Sequence, residues 1–315
     1  MAILTSDIAV LIPSYKRKEL TLNCLESAIA NHPGEILVSE DAGDYSIVES
    51  ILRLNNPVVK VFYQDKNLGL WKNHLFLLKK TSKPWIKFVQ TDDSMLPGTL
   101  EKMSRHVDKS TAVVSYLPVY LDFNSNIKYK YQEQSEVLRL SAREFVKRAA
   151  IRGNELGRPS NNLYRKACMN LGEEDWLNEM SCDYSANLIV GSKGDVVILP
   201  PGDIITGIHS DQDIHKQDFS LAFKRWLNTL NYLNCKGKTD LKKSISIVSL
   251  VEFVAQHRNF FGYLKTKRNP FKGFKTADYW QLVTSTSFKS FIFEFRKVLL
   301  FYKWKYQQQT KIKVD

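Results

Sequence analysis

Two pairs of adjacent carboxylates each follow a short apolar run in the first hundred residues. Glu40-Asp41 comes directly after the run EILVS, and Asp92-Asp93 comes two residues after WIKFV. Carboxylates accept hydrogen bonds from hydroxyls or bind a hard cation, whereas cations bind phosphate oxygens. The pattern suits a ligand that carries both hydroxyl and phosphate groups. Further polar side chains follow the neighbouring apolar runs: Tyr15, Arg17, Asn67 and Lys72.

Alternating strand and helix patterns must position these side chains. Nearly continuous apolar runs predict buried strands over residues 7–13, 35–39, 58–63 and 85–89, and helical spacing lies between them, as over 46–54 and 70–80. Short connections between such units predict a doubly wound α/β fold with a mostly parallel sheet. Ligands bind such sheets beyond the carboxyl ends of the strands. Neither GxGxxG nor GxxxxGK[ST] occurs, so the motifs for dinucleotide and P-loop binding are missing.

Composition indicates a folded protein with an unusual charge distribution. The 315 residues are 43% hydrophobic and 25% charged, which excludes a disordered, collagen-like or disulfide-stapled chain. The net charge of +12 is uneven: residues 1–214 hold 25 Lys/Arg and 27 Asp/Glu, and residues 215–315 hold 20 and 6. We therefore predict a boundary near residues 210–220 and a basic C-terminal region that docks to an anionic partner.

The cysteines and the apolar runs indicate the compartment. Cys24, Cys168, Cys182 and Cys235 form no CxxC pair, which argues against a disulfide or zinc framework. A strand pattern begins almost at the N-terminus without a secretory signal, and no apolar run reaches the ~18–20 residues that span a bilayer. We expect a cytoplasmic protein that lies peripherally on the inner face of the cell membrane.

Several short motifs, each weak alone, occur together in an order and spacing that resemble family 2 glycosyltransferases of the GT-A fold, of the bacterial surface-polysaccharide type. The resemblance covers about residues 7–212. It implies a catalytic domain over 1–214, with a nucleotide-binding half at about 7–100 and an acceptor half at about 101–214, before a helical extension over 215–315. The motifs are IPSYKR, VSEDAG, NLG, QTDDSMLP, the segment Gly153–Lys166 with its Pro159-Ser160, the segment Cys182–Leu188, and Gly194–Pro200 followed by His209.

On the donor side, the resemblance implies a pocket for a nucleotide sugar, UDP-linked in our reading. Asp41 would accept a hydrogen bond from the base, and Glu40 is the alternative. Lys72 would approach the diphosphate or the base, and Asp92 would contact the ribose or the sugar. The other pocket residues would be Pro13, Tyr15, Arg17 and Asn67.

The resemblance also implies a divalent metal, Mn²⁺ or Mg²⁺. Asp93 would coordinate it, and His209 would help to hold the metal or the diphosphate. Many relatives carry a further aspartate two positions before Asp92, where this chain has Gln90. Metal binding would therefore depend on Asp93, His209, phosphate oxygens and water, as suits a hard cation shared with substrate phosphates.

A single general base is expected on the acceptor side. The resemblance implies Asp183, which competes with nearby Glu173, Glu174, Asp175 and Glu179. One base that activates an acceptor hydroxyl opposite the leaving group gives direct displacement with inversion. The expected enzyme transfers a hexosyl or N-acetylhexosaminyl group to a glycan, lipid-linked as in capsule or O-antigen assembly.

Other classes remain as alternatives. A retaining enzyme or a nucleotidyltransferase could share the fold, although the glycine-rich, lysine-containing N-terminal loop of sugar nucleotidyltransferases is missing. A non-catalytic nucleotide-sugar-binding or scaffold protein in a polysaccharide assembly complex is the main alternative.

The C-terminal third predicts a cationic amphipathic helix over about residues 288–306. Its cations Lys289, Arg296 and Lys303 are seven residues apart, and no nucleic-acid module is present. This composition is typical of an interfacial anchor on an anionic membrane; packing on the catalytic domain or oligomerisation is the alternative. The apolar face consists of Phe288, Phe291, Ile292, Phe295, Leu299 and Tyr302.

Overall fold

The structure is a computed structural model that describes residues 3–130, 135–152, 154, 156–169, 182–209, 229, 233 and 312–314. The strands are β1 (Ile8–Ser14), β2 (Glu35–Glu40), β3 (Val59–Tyr63), β4 (Trp85–Phe88), β5 (Asp93–Met95), β6 (Thr111–Tyr116), β7 (Val119–Asp122), β8 (Ile127–Lys130), β9 (Leu138–Leu140), β10 (Asn162–Arg165), β11 (Asp195–Leu199), β12 (Ile204–Ile208) and β13 (Ile312–Val314). The helices are α1 (Lys18–Ile29), α2 (Tyr45–Arg53), α3 (Leu70–Lys80), α4 (Thr99–Ser104), α5 (Ala142–Arg152) and α6 (Cys182–Gly191).

The first four strands confirm the predicted α/β arrangement. They lie parallel in the order β3-β2-β1-β4, with α1, α2 and α3 as the connections between consecutive strands. Each strand end lies within one residue of its predicted position, because the continuous apolar runs end where polar residues begin. The carboxyl ends of β1 and β2 therefore meet at one edge, with that of β4 beside β1.

The rest of this sheet is mixed, in the order β4-β10-β6-β11-β9. β10 is antiparallel to both β4 and β6, whereas β11 is parallel to β6. The expectation of a mostly parallel sheet holds except for β10 and the short edge strand β9. Because β10 runs in the opposite direction, the residues that precede it lie at the carboxyl edge of β4.

A smaller sheet has the strand order β13-β8-β7-β12-β5. β5 begins at Asp93 and is antiparallel to β12, in which Thr206 pairs with Asp93. The pairing places Gly207 and then His209 beside the second acidic pair. The sequence analysis did not predict this sheet, since its strands are three to five residues long and carry little periodicity.

Helices pack on both faces of the large sheet. Successive residues of β1 alternate between two core clusters: Leu11 packs in the same cluster as Leu77 of α3, and Ile12 packs in the other cluster with Leu25 of α1 and Ile47 of α2. α5 and α6 contribute to the first cluster and α4 to the second. This alternation is that of a strand buried on both faces of a doubly wound fold.

Little of the C-terminal third lies within the described residues. Leu233 is buried in the core, and Thr229 Oγ1 lies 2.8 Å from Ser185 Oγ of α6. β13 pairs with β8. The predicted amphipathic helix over 288–306 lies outside the described residues, so the division at 214 and the membrane contact stay predictions. In the described part of the chain, no helix is long and apolar enough to cross a membrane.

Candidate active site

Glu40, at the end of β2, is completely buried. One carboxylate oxygen accepts hydrogen bonds from the backbone N–H groups of Lys16 (2.9 Å) and Asp44 (3.1 Å), and the other accepts one from Ser14 Oγ at 2.5 Å. Lys16 has a left-handed backbone with φ of 58°, so the loop needs such an anchor. Glu40 therefore holds together the loops that follow β1 and β2.

Asp41 fixes the start of α3. Its two carboxylate oxygens accept the backbone N–H groups of Leu68 (2.7 Å) and Gly69 (2.9 Å), and 3% of the residue is exposed. Asn67 Oδ1 also accepts the Gly69 N–H, at 2.8 Å. Because a carboxylate has about four lone-pair positions, Asp41 can still accept a hydrogen bond from a ligand.

The remaining residues expected around a nucleotide lie along the same edge. Pro13 is buried within β1, and Lys72 is exposed in the first turn of α3. The Tyr15 ring is 43% exposed, and Lys16 Nζ lies 4.9 Å from its centre. Hydrogen bonds with the side chains of Lys16 and Asn67 lower the pKa of Tyr15. An exposed ring beside polar groups can stack on a base or sugar.

The second acidic pair surrounds an arginine that the sequence analysis did not select. Arg158 Nη1 lies 3.4 Å from Asp92 Oδ2, 3.4 Å from Asp93 Oδ1 and 3.3 Å from the Gly207 carbonyl oxygen. Both carboxylates are largely buried, with 9% of the Asp92 side chain and none of the Asp93 side chain exposed. A positive charge thus lies between two negative ones.

Asp93 is the most buried acid of this cluster. Its Oδ1 accepts the Gly207 N–H at 3.1 Å, and its Oδ2 has no hydrogen-bond partner among the described residues. Burial and the neighbouring Asp92 raise the pKa of Asp93, while Arg158 opposes the rise. A Cβ at Gly207 would lie 2.2 Å from the Asp92 carbonyl oxygen, so only glycine allows this approach.

His209 joins the cluster from the end of β12. Its Nε2 lies 3.7 Å from Asp92 Oδ2 and 3.5 Å from Arg17 Nη1, and its ring stacks on Phe123 at 5.7 Å with an interplanar angle of 8°. Arg17 and His209 are 192 residues apart in the chain. His209, one of the two expected metal ligands, therefore contacts Asp92, which is the chain neighbour of the other, Asp93.

The donor set fits a divalent cation only in part. In the described ranges, no group of three or more His, Cys, Asp or Glu side chains has the arrangement of a metal site. The unpartnered oxygen of Asp93, the neighbouring Asp92 and the imidazole of His209 nevertheless suit a hard cation whose other ligands are phosphate and water. The residues that could take part in holding a divalent cation are therefore Asp93 and His209, with Asp92 beside them.

Arg158 is held from behind by the turn Pro159–Asn161. Lys87, buried in β4, donates from Nζ to the Ser160 carbonyl oxygen, and Ser160 Oγ accepts the Gln90 N–H at 2.9 Å. Asn162 Nδ2 donates to the Arg158 carbonyl oxygen at 3.0 Å. Burial lowers the pKa of Lys87 to about 7, and the charge of Asp93 opposes that shift.

Asp183 lies in the first turn of α6 and is half-buried. Its Oδ1 accepts the Tyr184 N–H at 2.9 Å, and its Oδ2 accepts a hydrogen bond from Asn154 Nδ2 at 3.3 Å. Burial raises the pKa of Asp183, while the Tyr184 N–H and the charge of Arg158 oppose the rise. The four competing acids Glu173, Glu174, Asp175 and Glu179 lie outside the described residues.

A buried amide network connects Asp183 with the centre of the sheet. Asn187, one helical turn after Asp183, accepts the Tyr164 hydroxyl at 2.5 Å and donates to Asn154 Oδ1 at 2.9 Å. Asn162 Nδ2 donates to the Tyr164 hydroxyl oxygen at 2.8 Å. The segment from Asn154 to Asn162 therefore contacts Asp183 at one end and carries Arg158 to the acidic pair.

Comparison with known proteins decides the family. The model of "Glycosyl transferase family 2" matches residues 9–169, which is 161 of 315 residues. The chain belongs to glycosyltransferase family 2. The matched segment carries the candidate residues from Pro13 to Arg158, whereas Asp183 and His209 lie beyond it.

Solved structures with the fold of this family 2 glycosyltransferase include TarS of S. aureus. TarS 1-349 has a TM-score of 0.54 at 16% identity over 86% of this chain and 76% of that one; its complex with UDP-GlcNAc has a TM-score of 0.57 at 16% identity over 83% and 76%. This likeness shows the GT-A fold. A curated relative, "Uncharacterized protein MT1568" of Mycobacterium tuberculosis (strain CDC 1551 / Oshkosh), is 29% identical over 116 residues, which is 35% of each chain. The match thus spans about a third of that relative.

In this glycosyltransferase the structure brings the sequence-selected residues into two groups on one edge of the sheet. Asp41, Tyr15 and Asn67 lie around the loop before α3, and Asp92 lies with His209. Arg158 was not predicted as a site residue from the sequence, although it lies in the recognised motif Gly153–Lys166. The signal was a basic residue directly before Pro159-Ser160, but its position depends on the direction of β10.

Proposed function

We propose that this chain is an inverting glycosyltransferase that moves a sugar from a nucleotide-diphosphate donor, UDP-linked, to a hydroxyl of a glycan acceptor. The observation that carries this proposal is the cluster of Asp92, Asp93, His209 and two arginines at the carboxyl edge of the sheet, beside the pocket around Asp41. Family membership supports transfer of a sugar. The structural relative TarS was crystallised with UDP-GlcNAc and with UDP, which favours the same donor class.

The first group of residues would bind the nucleoside. Asp41 would accept a hydrogen bond from the base, since its carboxylate keeps acceptor capacity beyond its bonds to the Leu68 and Gly69 N–H groups. Tyr15 would stack beside it, with Asn67 next to its hydroxyl. Glu40 is less suited to this role because its carboxylate already accepts three hydrogen bonds within the protein.

The second group would meet the diphosphate. Asp93 and His209 would hold a divalent cation, Mn²⁺ or Mg²⁺, which when bound neutralises the charge that develops on the leaving group. Asp92, expected from the sequence to contact the ribose or the sugar, lies beside His209 and could share this cation. Arg17 lies 3.5 Å from His209 and would add positive charge at the same place. Stabilisation of the negative charge on the departing diphosphate is the largest electrostatic contribution that this reaction requires.

Asp183 would take the proton from the acceptor hydroxyl. A general base needs an ionised carboxylate, and the Asn154 amide and the Tyr184 N–H orient it. The raised pKa makes Asp183 a stronger base than an exposed aspartate. One base opposite the leaving group corresponds to inversion at the anomeric carbon.

The acceptor and its location are the finer part of the proposal. We propose a lipid-linked glycan at the inner face of the cell membrane, supported by the excess of 20 Lys/Arg over 6 Asp/Glu in residues 215–315. Truncation before residue 285 should abolish binding to vesicles that contain anionic lipid. Unchanged vesicle binding would instead favour packing of this region on the catalytic domain.

Thermal shift with UDP-, GDP-, dTDP- and CMP-sugars, each with and without Mn²⁺, tests the donor class. A ligand that binds only the folded state raises the melting temperature by mass action, so one nucleotide class should give a metal-dependent shift. Asp183→Asn should then abolish transfer while nucleotide binding persists. Asp195→Asn, at the amino end of β11, is the matched control and should retain transfer.

Each result separates the alternatives. Nucleotide binding without transfer by the wild-type protein would favour a scaffold protein. Full transfer by Asp183→Asn would overturn the choice of base.

A further inference from the structure

The guanidinium of Arg158 lies against Asp92 and Asp93, the same acidic pair that is proposed to bind a metal ion. A single nitrogen, Nη1, is 3.4 Å from one oxygen of Asp92 and 3.4 Å from one oxygen of Asp93. The Arg158 side chain is 23% exposed, so it reaches the pair from the open side while the carboxylates lie deeper. Arg158 contacts Oδ1 of Asp93 and leaves Oδ2 for a metal ion, so the two cations would share the same pair of carboxylates.

The contacts of Arg158 with these carboxylates are longer than good charge-assisted hydrogen bonds. Such N⁺–H···O⁻ bonds measure about 2.7–2.9 Å, against 3.4 Å for both ion pairs here. Ion-pair contacts of this length can separate when a stronger cation or a new anion arrives.

Hydrogen bonds from neighbouring residues hold the backbone that carries Arg158. Ser160, two residues later, is bonded through its carbonyl oxygen to Lys87 and through its hydroxyl to the Gln90 N–H, and it is completely buried. The Arg158 carbonyl oxygen accepts Asn162 Nδ2. A change in cation at the acidic pair would therefore move the guanidinium and leave the turn in place.

We propose that Arg158 is a displaceable counter-cation of the Asp92–Asp93 pair. In the donor-free enzyme it neutralises the pair and opposes binding of a divalent cation on its own. When metal and nucleotide diphosphate bind together, Asp92 and Asp93 would hold the metal, and the Arg158 guanidinium would contact the phosphate oxygens instead. This inference rests on the proposed function, since it assumes that the diphosphate reaches this pair.

Thermodynamic coupling between metal and nucleotide follows from this exchange. Metal alone would bind carboxylates that Arg158 already neutralises, whereas metal with diphosphate would give the guanidinium a new anionic partner. Arg158 therefore increases the factor by which nucleotide tightens metal binding, and by reciprocity the factor by which metal tightens nucleotide binding. The device would favour binding of the complete metal–donor complex over binding of the metal alone.

Mn²⁺ binding to the full chain, measured by electron paramagnetic resonance with and without UDP, tests the proposal. Arg158→Gln should bind Mn²⁺ alone on the order of tenfold more tightly than the wild type, because like charges repel at this separation. UDP should then tighten Mn²⁺ binding by a smaller factor than in the wild type. Arg158→Lys keeps the charge and should stay close to the wild type. Arg105→Gln removes an exposed arginine of the same charge, paired with Glu101, and should change nothing.

The results that overturn the proposal are distinct from failure of the proposed function. Equal or weaker Mn²⁺ binding by folded Arg158→Gln, or no Mn²⁺ binding by either protein, overturns it. If Arg158→Gln does not fold, a wild-type Mn²⁺ affinity that UDP leaves unchanged overturns it as well. Failure of the proposed function would show as absence of sugar transfer, which the Mn²⁺ titration without UDP does not depend on.

Discussion

Replacement of Glu40 separates its bracing role from a ligand-binding role. In Glu40→Ala the backbone N–H groups of Lys16 and Asp44 lose their acceptor, while Ser14 keeps a neighbour in Thr21, at 2.8 Å between the two hydroxyl oxygens. A buried donor without a partner costs about 1–3 kcal/mol. Because Lys16 is exposed, water can reach part of this loop. We expect the free energy of unfolding to fall by about 3 kcal/mol, from two such donors.

Glu40→Gln is the matched variant. The amide oxygen can accept both backbone N–H groups, and the amide NH₂ can donate to Ser14 Oγ, whose hydroxyl then turns to Thr21. We expect a loss of about 1 kcal/mol, from exchange of charged for neutral hydrogen bonds. Urea unfolding measures both variants, and UDP affinity is measured on the same samples.

The two measurements together decide between Glu40 and Asp41. Asp41→Asn cannot accept both the Leu68 and the Gly69 N–H groups as the carboxylate does, so it should weaken UDP binding far more than Glu40→Gln. Stability of Glu40→Ala within about 1 kcal/mol of the wild type would refute the bracing argument. A larger loss of UDP affinity in Glu40→Gln than in Asp41→Asn would make Glu40 the ligand-binding acid.

Three further predictions follow from the buried polar groups. Burial raises the pKa of Asp183, so the acidic limb of the pH profile of kcat/KM should lie at a higher pH than an exposed aspartate would give. Asn154→Ala removes the amide that donates to Asp183 Oδ2 and should move this limb to a still higher pH. An acidic limb that does not move in the variant would contradict this prediction. Burial lowers the pKa of His74 from 6.5 to about 4, so as pH falls the unfolded chain binds a proton at this residue before the folded chain does. The free energy of unfolding should therefore decrease as pH drops through this window, by at most about 3 kcal/mol. Urea unfolding of His74→Leu should show a weaker dependence of stability on pH, and an unchanged dependence would exclude His74 as the cause. Asn187→Leu removes the partner of the Tyr164 hydroxyl and of the Asn154 amide oxygen. The free energy of unfolding, measured in urea, should fall by about 3 kcal/mol or more. A decrease under about 1 kcal/mol would mean that water replaces the Asn187 amide.

The sequence alone was sufficient for the elements that local pattern specifies. The runs that became β1 to β4 are continuous and apolar, so their residues had to be buried on both faces of a sheet, and the polar residues after them had to lie at its edge. The same pattern placed α2 and α3 to within one residue. The order of the motifs predicted the family, and the match of the family model to residues 9–169 confirms it.

The first acidic pair, Glu40 and Asp41, differs in surroundings in a way that the local sequence pattern did not predict. The sequence predicted that β2 ends at Ser39, but the strand continues through Glu40, whose side chain is therefore buried at the end of the sheet. Asp41, one residue later, leaves the strand and reaches the loop before α3. Neighbouring carboxylates thus have different surroundings, and only the packing of the loops after β1 and β3 assigns each its partners.

Tertiary structure alone decided the composition of the second acidic cluster. Arg158 reaches Asp92 and Asp93 because β10 is antiparallel to β4, and His209 reaches them because β12 pairs with β5. Hydrophobic periodicity reports how a segment is buried, but it carries no information on which strand lies beside which, or in which direction. The charges that determine the chemistry of this site come from segments 65 to 192 residues apart, so their meeting depends on the completed sheets.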